Sequence, residues 1–233
     1  MHHIVLERWS RGQSPLHRLD PRAKLGALLA CLAALSTTPP SASVPAGALF
    51  LGAAIAGCLA ARIPLWALLL RGAVVLPFSL TFAAIAILAG DTARVPALIV
   101  KTYISAVLVL LLMATTSLSK LLDALYRLKV PILLVEVVHL LWRYLFLISE
   151  QAQHMRLAAA ARGGQPSFRR AAGAVAVLFG HSYERAENIQ RAMAARGGDG
   201  RMPVLTTPVM GYSDFVFLLL TLLFAGAVRL GVL

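Results

Sequence analysis

Apolar positions fall in long runs. Residues 25–38, 44–61, 72–89 and 95–116 form four of them and 210–232 a fifth, separated by short polar breaks. A helix needs roughly 20 apolar residues to cross a bilayer, so these runs predict membrane helices. The first is short and is stopped by Pro39-Pro40, which cannot continue a helix. Arg22 and Lys24 are therefore expected to snorkel at its base. Ile63 to Leu70 reads as interfacial, with Trp66 at headgroup depth and Arg71 at its end. Gly90-Asp91-Thr92-Ala93-Arg94 predicts a turn, and Lys101, inside the following run, is expected to reach back to the near interface.

From Ser117 to Pro203 the pattern changes. Twelve Lys/Arg and six Asp/Glu are interleaved with apolar residues at helical spacing. Residues 117–129 predict a short amphipathic helix ending before Pro131. After Pro131 no proline or glycine interrupts the chain until Gly163-Gly164, so residues 131–163 predict a helix about 50 Å long. Pro166 separates it from a second helix over 167–196, closed by Gly197-Gly198.

Residues 130–148 are apolar enough to imitate a further span. Parity opposes that reading. With the basic N-terminus inside, four spans leave Arg62, Arg71, Lys120, Arg127 and Lys129 inside, as the positive-inside bias requires. A span at 130–148 would send Arg156, Arg162, Arg169, Arg170, Arg185, Arg191 and Arg196 outside. It would also place Glu136, His139 and Arg143 in lipid at a cost of several kcal/mol. The expectation is an all-α integral membrane protein with about five transmembrane helices plus a cytoplasmic coupling region of long amphipathic helices. Its parts are 1–116 (tail and four spans), 117–203 (coupling helices) and 204–233 (last span), with a cytoplasmic N-terminus and the C-terminus outside.

Composition agrees with a membrane chain: 59% hydrophobic, 14% charged, mean hydropathy +0.77. Soluble domains carry roughly 25% charged residues. The net charge of +12 reads as topology information and attraction to anionic lipid. Its two Arg-Gly-Gly triplets end alanine-rich helical runs, unlike disordered RNA-binding repeats, so no nucleic-acid partner is expected. Cys31 and Cys58 lie in apolar runs and read as small hydrophobes. The stretch before Leu25 is too long for a signal-peptide n-region, although Leu28-Leu29-Ala30-Cys31 approximates a lipobox, and an uncleaved first helix is expected.

Catalytic signatures are sparse. The chain has no G-x-x-x-x-G-K-[ST] loop for ATP. Near the spans only Asp91 and Asp214 are acidic, both at span ends, which removes most metal-dependent intramembrane chemistry. Ser117-Leu118-Ser119-Lys120 matches S-x-x-K, a spacing that arises by chance, and Lys120 is explained by an interfacial place. His2 and His3 read as a frayed terminus more readily than as a chelate. His139, His154 and His181 lack the i,i+4 pairing of a metal site. The expectation is no catalytic residue, no metal ligand and no cofactor bound by this chain.

One phrase is written twice. EQAQHMRLAAAARGG at 150–164 returns as ERAENIQRAMAARGG at 184–198, an offset of 34. Glu150 matches Glu184, Ala152 matches Ala186 and Met155 matches Ile189. Ala160, Ala161, Arg162 and Gly163 match Ala194, Ala195, Arg196 and Gly197. An arginine is comfortable at any helix C-terminus, but that does not account for the shared context. Alanines let another surface close on the helix end, and arginine offers it a planar donor fork.

These features resemble the transmembrane T component of energy-coupling-factor transporters. The resemblance rests on Leu19-Asp20-Pro21-Arg22-Ala23-Lys24-Leu25, on Arg143-Tyr144-Leu145-Phe146 leading into Glu150, and on the paired Ala-Arg-Gly motifs. His17-Arg18-Leu19-Asp20-Pro21-Arg22 and Trp142-Arg143-Tyr144-Leu145-Phe146 look most like its cobalt- or nickel-dedicated branch (CbiQ/NikQ-like), ahead of a biotin or other vitamin branch. A conventional ABC importer permease is the other alternative. The resemblance implies a bacterial inner-membrane importer subunit that couples a CbiO-like ABC ATPase dimer to a CbiM-like substrate-binding S component, with a small CbiN-like accessory subunit. ATP and Mg would sit on the ATPase and Co2+ or Ni2+ on the S component. It makes Arg162 and Arg196 the coupling residues, with Ala160, Ala161, Gly163, Ala194, Ala195 and Gly197 shaping the contact.

Overall fold

The structure, a computed structural model, describes Trp9, Gly12 and residues 14–163, 167–197 and 210–231. His2, His3, Gly164, Pro166 and Gly198 lie outside the described residues. Nine helices longer than one turn are described: α1 (Pro21–Thr37), α2 (Ser43–Ala61), α3 (Leu65–Gly72), α4 (Leu76–Leu88), α5 (Val95–Thr115), α6 (Leu118–Arg127), α7 (Ile132–Ala161), α8 (Phe168–Ala195) and α9 (Tyr212–Gly231). They pack as two compact units, Met1–Ala124 with Thr206–Leu233, and Leu125–Leu205.

Local chemistry sets the helix ends. Asp20 caps α1 by accepting the Arg22 N–H at 2.9 Å, with Pro21 at the first helical position. Arg62 closes α2 at φ +57°, and Gly90 at φ +81° follows α4. Beyond it Asp91 pairs with Arg94 at 2.7 Å, the turn expected there.

In the first unit α5 packs against α1, α2, α3 and α4, while α1 lies along α9. Lipid supplies no hydrophobic drive between helices, so association depends on close fit, and alanine supplies it. Ala34, Ala46, Leu35, Phe50, Ile104 and Ala225 form one buried cluster, and Ala54, Cys58, Ala61, Leu68, Val107 and Ala114 belong to a second. Phe50 meets Phe224 edge-on at 5.6 Å. At Gly47 an added Cβ would run into Val100 and would lie 2.8 Å from the Ile104 Cδ1. The α2–α5 approach therefore requires a glycine there.

Two expectations are revised. The interfacial stretch 63–70 and the span 72–89 are one feature: α3 passes through a short 3-10 turn into α4, giving a 24-residue apolar stretch, Leu65–Leu88. Trp66 is exposed on it but Leu68 is fully buried. Lys24 does not snorkel. It is 5% exposed and donates to the Thr115 carbonyl at 3.1 Å and the Thr116 hydroxyl at 3.2 Å, because the C-terminal end of α5 supplies acceptors nearer than the headgroups. Lys101 does reach back, donating to the carbonyls of Ser36 (3.1 Å) and Thr38 (2.5 Å) at the end of α1.

Five helical stretches are long and apolar enough to cross a membrane: Pro40–Ala61, Leu65–Leu88, Thr92–Thr115, Ile132–Ala161 and Tyr212–Gly231. The set differs from the expected one, since α1 has only 17 residues and α7 qualifies instead. Hydrogen bonds inside the first unit tie three of its helix ends together. Lys24 joins the start of α1 to the end of α5, and the Asp20 N–H donates to Asp214 Oδ1 at 2.8 Å, joining the start of α1 to the start of α9. Thr116 and Gly211 thus lie at the same end of the first unit as the start of α1. Helix α8, whose exposed residues include Arg169, Arg170, Arg185 and Arg191, is not among the stretches apolar enough to cross.

Candidate docking ends on the two long helices

The second unit is built around α7 and α8, neither of which buries a single residue. The helices run antiparallel. Ala159 and Ala160 near the end of α7 share a crevice of about 440 Å³ with Arg170 and Ala171 at the start of α8. Farther along, Tyr144 and Ile148 share another of about 240 Å³ with Ser182 and Ala186. The Ser167 hydroxyl caps α8 by accepting the Arg170 N–H.

Each copy of the repeated phrase ends its helix in the same way. Arg162 caps α7 at φ −86°, ψ 13°, and Arg196 caps α8 at φ −89°, ψ 9°. The next residues, Gly163 and Gly197, turn left-handed at φ +70° and +72°, where a Cβ is disfavoured. The Gly163 N–H donates to the Ala160 carbonyl and the Gly197 N–H to the Ala194 carbonyl, each at 3.0 Å. Ala160, Ala161, Ala194, Ala195 and both arginines are exposed. Remaining carbonyls of the last turn carry the negative end of the helix dipole beside each guanidinium.

The eight residues are not gathered into one pocket; they form two sites. Ile148 and Ser182, related by the 34-residue offset, border one crevice, and Arg162 and Arg196 each lie fourteen residues beyond their reference point. At 1.5 Å per residue each arginine is about 21 Å from the crossing, in opposite directions. An antiparallel pair with matching sequence has a local pseudo-twofold axis, so the unit presents two equivalent arginine ends up to about 42 Å apart.

Other candidates sort plainly. Among the described residues no hydrogen bond joins Ser117 to the exposed Lys120, and no group of three or more His, Cys, Asp and Glu converges as a metal site. His154 lies 3.7 Å from Glu150 and His181 3.9 Å from Glu184, both on exposed helix surface. Trp9, on the N-terminal segment, receives the Arg71 guanidinium over its ring at 4.6 Å.

The sequence reading missed a buried polar junction in the first unit. Asp20, Lys24 and Asp214 are each about 5% exposed. Asp214 caps two helices at once: Oδ1 accepts the Asp20 N–H and Oδ2 accepts the Gly211 N–H, both at 2.8 Å. The available signal was D-P-R-A-K before the first run and a lone aspartate opening the last. Nothing in their spacing, 194 residues apart, indicated that they meet.

Five apolar helical stretches and two exposed, backbone-equivalent helix ends mark a multi-pass helical membrane protein. Residues 12–207 match the family of cobalt transport proteins, CbiQ. The chain is 32% identical to "Cobalt transport protein CbiQ" of Rhodobacter capsulatus over 178 residues, 70% of this chain and 73% of that protein. It is also 31% identical over 114 residues to "Uncharacterized protein MJ1089" of Methanocaldococcus jannaschii, 46% of this chain and 42% of that protein. The chain belongs to the CbiQ family of cobalt transport proteins.

Proposed function

We propose that this chain is the transmembrane coupling (T) subunit of an energy-coupling-factor importer for cobalt. In this reading Arg162 and Arg196 dock on the two subunits of a CbiO-like ABC ATPase, and ATP-driven motion passes through the long helices to a CbiM-like S component. A CbiN-like accessory subunit completes the assembly. ATP and Mg belong to the ATPase, and the metal ion, as cargo, to the S component. One observation carries the reading: two backbone-equivalent arginine ends related by a pseudo-twofold axis suit a partner that offers the same groove twice, as a twofold dimer does. Cobalt is preferred to nickel or a vitamin because the family and the Rhodobacter relative are both named for cobalt. A cytoplasmic N-terminus agrees with the positive-inside bias of the sequence, and the bacterial inner membrane is the place that an importer of this family implies.

The double variant Arg162→Glu/Arg196→Glu tests it. Co-purification with the ATPase and cobalt uptake are expected to disappear while the chain still inserts and elutes as a folded protein. Undiminished uptake by that variant, or labelling of cysteines at 162 and 196 from the periplasm, overturns the reading.

A further inference from the structure

We infer that the membrane unit holds one anionic phospholipid, with an acyl chain in the groove among α1, α2, α5 and α9 and its phosphate at Lys24. The site is independent of the coupling reading above. A crevice of about 160 Å³ lies among these four helices. Its lining runs from Lys24 to Cys31 on α1, from Thr115 back to Leu108 on α5, and from Phe217 to Phe224 on α9. Each step is seven residues, about 10 Å, against roughly 15 Å for half of a bilayer's hydrocarbon core. Lys24, Thr115 and the start of α9 stand at one end of the unit. Helices α2, α5 and α9 belong to stretches long and apolar enough to cross a membrane. The groove therefore runs inward from the rim, at the depth of one leaflet's acyl chains.

The walls leave room there. Ala27, Ala53, Ala54 and Gly57 face the crevice with little or no side chain. The Thr115 and Thr221 hydroxyls are spent on carbonyls of their own helices, so water finds few partners. An empty groove would forfeit dispersion contacts, and hydrocarbon chain is the fluid at this depth. Charge selects the lipid. Lys24, 5% exposed, is the cation on the lining. Two of its three donors hold the Thr115 carbonyl and the Thr116 hydroxyl, and among the described residues the third has no acceptor. Arg22, Lys24 and Lys120 set three cations against Asp20 and Asp214 around this end. In the same turn buried Arg22 Nε lacks an acceptor and Asp20 Oδ2 a donor. A phosphate beside Lys24 supplies the one, and the glycerol hydroxyls of phosphatidylglycerol supply the other. An ammonium held against neutral oxygens alone is costly, and the phosphate offsets that cost.

The test uses the full chain, stripped of lipid in detergent and offered phosphatidylglycerol and phosphatidylcholine in equal amounts, with native mass spectrometry counting what is retained. The parent is expected to keep one phosphatidylglycerol, preferred about fivefold or more over phosphatidylcholine. Ala53→Leu puts a side chain into the groove and lowers retention about tenfold. Lys24→Gln cuts the preference to under about twofold. Gly226→Leu, on α9 where an added Cβ meets nothing within 4 Å, retains lipid like the parent. Cys31 gives a second reading that needs no variant, because it lines the groove while Cys58, the other cysteine, is 1% exposed. Its alkylation by N-ethylmaleimide is expected to be about fivefold slower in phosphatidylglycerol nanodiscs than in phosphatidylcholine ones, and this decides the matter where Lys24→Gln does not fold. Equal retention of the two lipids by the parent, equal alkylation of Cys31 in the two membranes, or an unchanged preference in folded Lys24→Gln overturns the inference. So does undiminished retention in Ala53→Leu, or an equal loss in Gly226→Leu.

Discussion

The two units use apolar residues in different ways. In the membrane unit Phe50, Leu35, Leu68 and Val107 are sealed among alanines and glycines. In the long-helix unit no residue of α7 or α8 is buried, and Leu141, Val175, Phe179 and Phe168, the last 90% exposed, face outward. A helix pair with so little internal packing derives no stability from its own core. The membrane unit, by contrast, holds two buried apolar clusters of its own. That difference fits the proposed coupling role, in which the long helices are the part that meets partners.

The sharpest way to break the comparison is at the arginine ends. Truncating or reversing a well-seated arginine costs about 2 kcal/mol or more, so Arg162→Glu and Arg196→Glu singly weaken ATPase capture by about thirtyfold each. The pair weakens it about a thousandfold if the ends act independently. Pull-down titration measures this, and the melting temperature of the isolated chain stays unchanged because neither side chain is buried.

A smaller effect is expected inside the membrane unit. Gly47→Leu drives a side chain into Val100 and Ile104, and overpacking of this kind costs about 1–3 kcal/mol. Thermal unfolding in detergent reads it directly. Next come the left-handed glycines. Gly163→Ala or Gly197→Ala strains φ near +70° by about 1 kcal/mol, so ATPase binding weakens about fivefold while insertion and folding persist. The smallest effect has the opposite sign. A Cβ at Gly180, within α8, meets nothing within 4 Å, so Gly180→Ala stabilises that helix by about 0.5–1 kcal/mol, seen as slower amide exchange across 168–195. A large loss of stability there reveals a core in the second unit and removes the contrast.

Much of this was legible in the residues. Helix α7 ends at Ala161 and α8 at Ala195, two residues and one residue short of the expected 163 and 196, because helix termination is local: glycine takes the left-handed turn that stops the ladder. The repeat was legible for the same reason. The spans were less so. Hydropathy alone favours α7 over the 17-residue α1 as a crossing helix, and a window average does not register which helix ends lie side by side.

The sequence by itself determined the helices, their ends, the duplicated arginine phrase and the membrane character of the chain, since each depends on side chains within a few turns of one another. Only the tertiary structure decided that Lys24 is buried against Thr115, that Asp214 caps two helices, that Thr116 and Gly211 lie at one end of the first unit, and that the two arginines stand at opposite ends of one pair. Those facts depend on packing between segments up to 194 residues apart, where many pairings satisfy the same local rules and close fit selects among them.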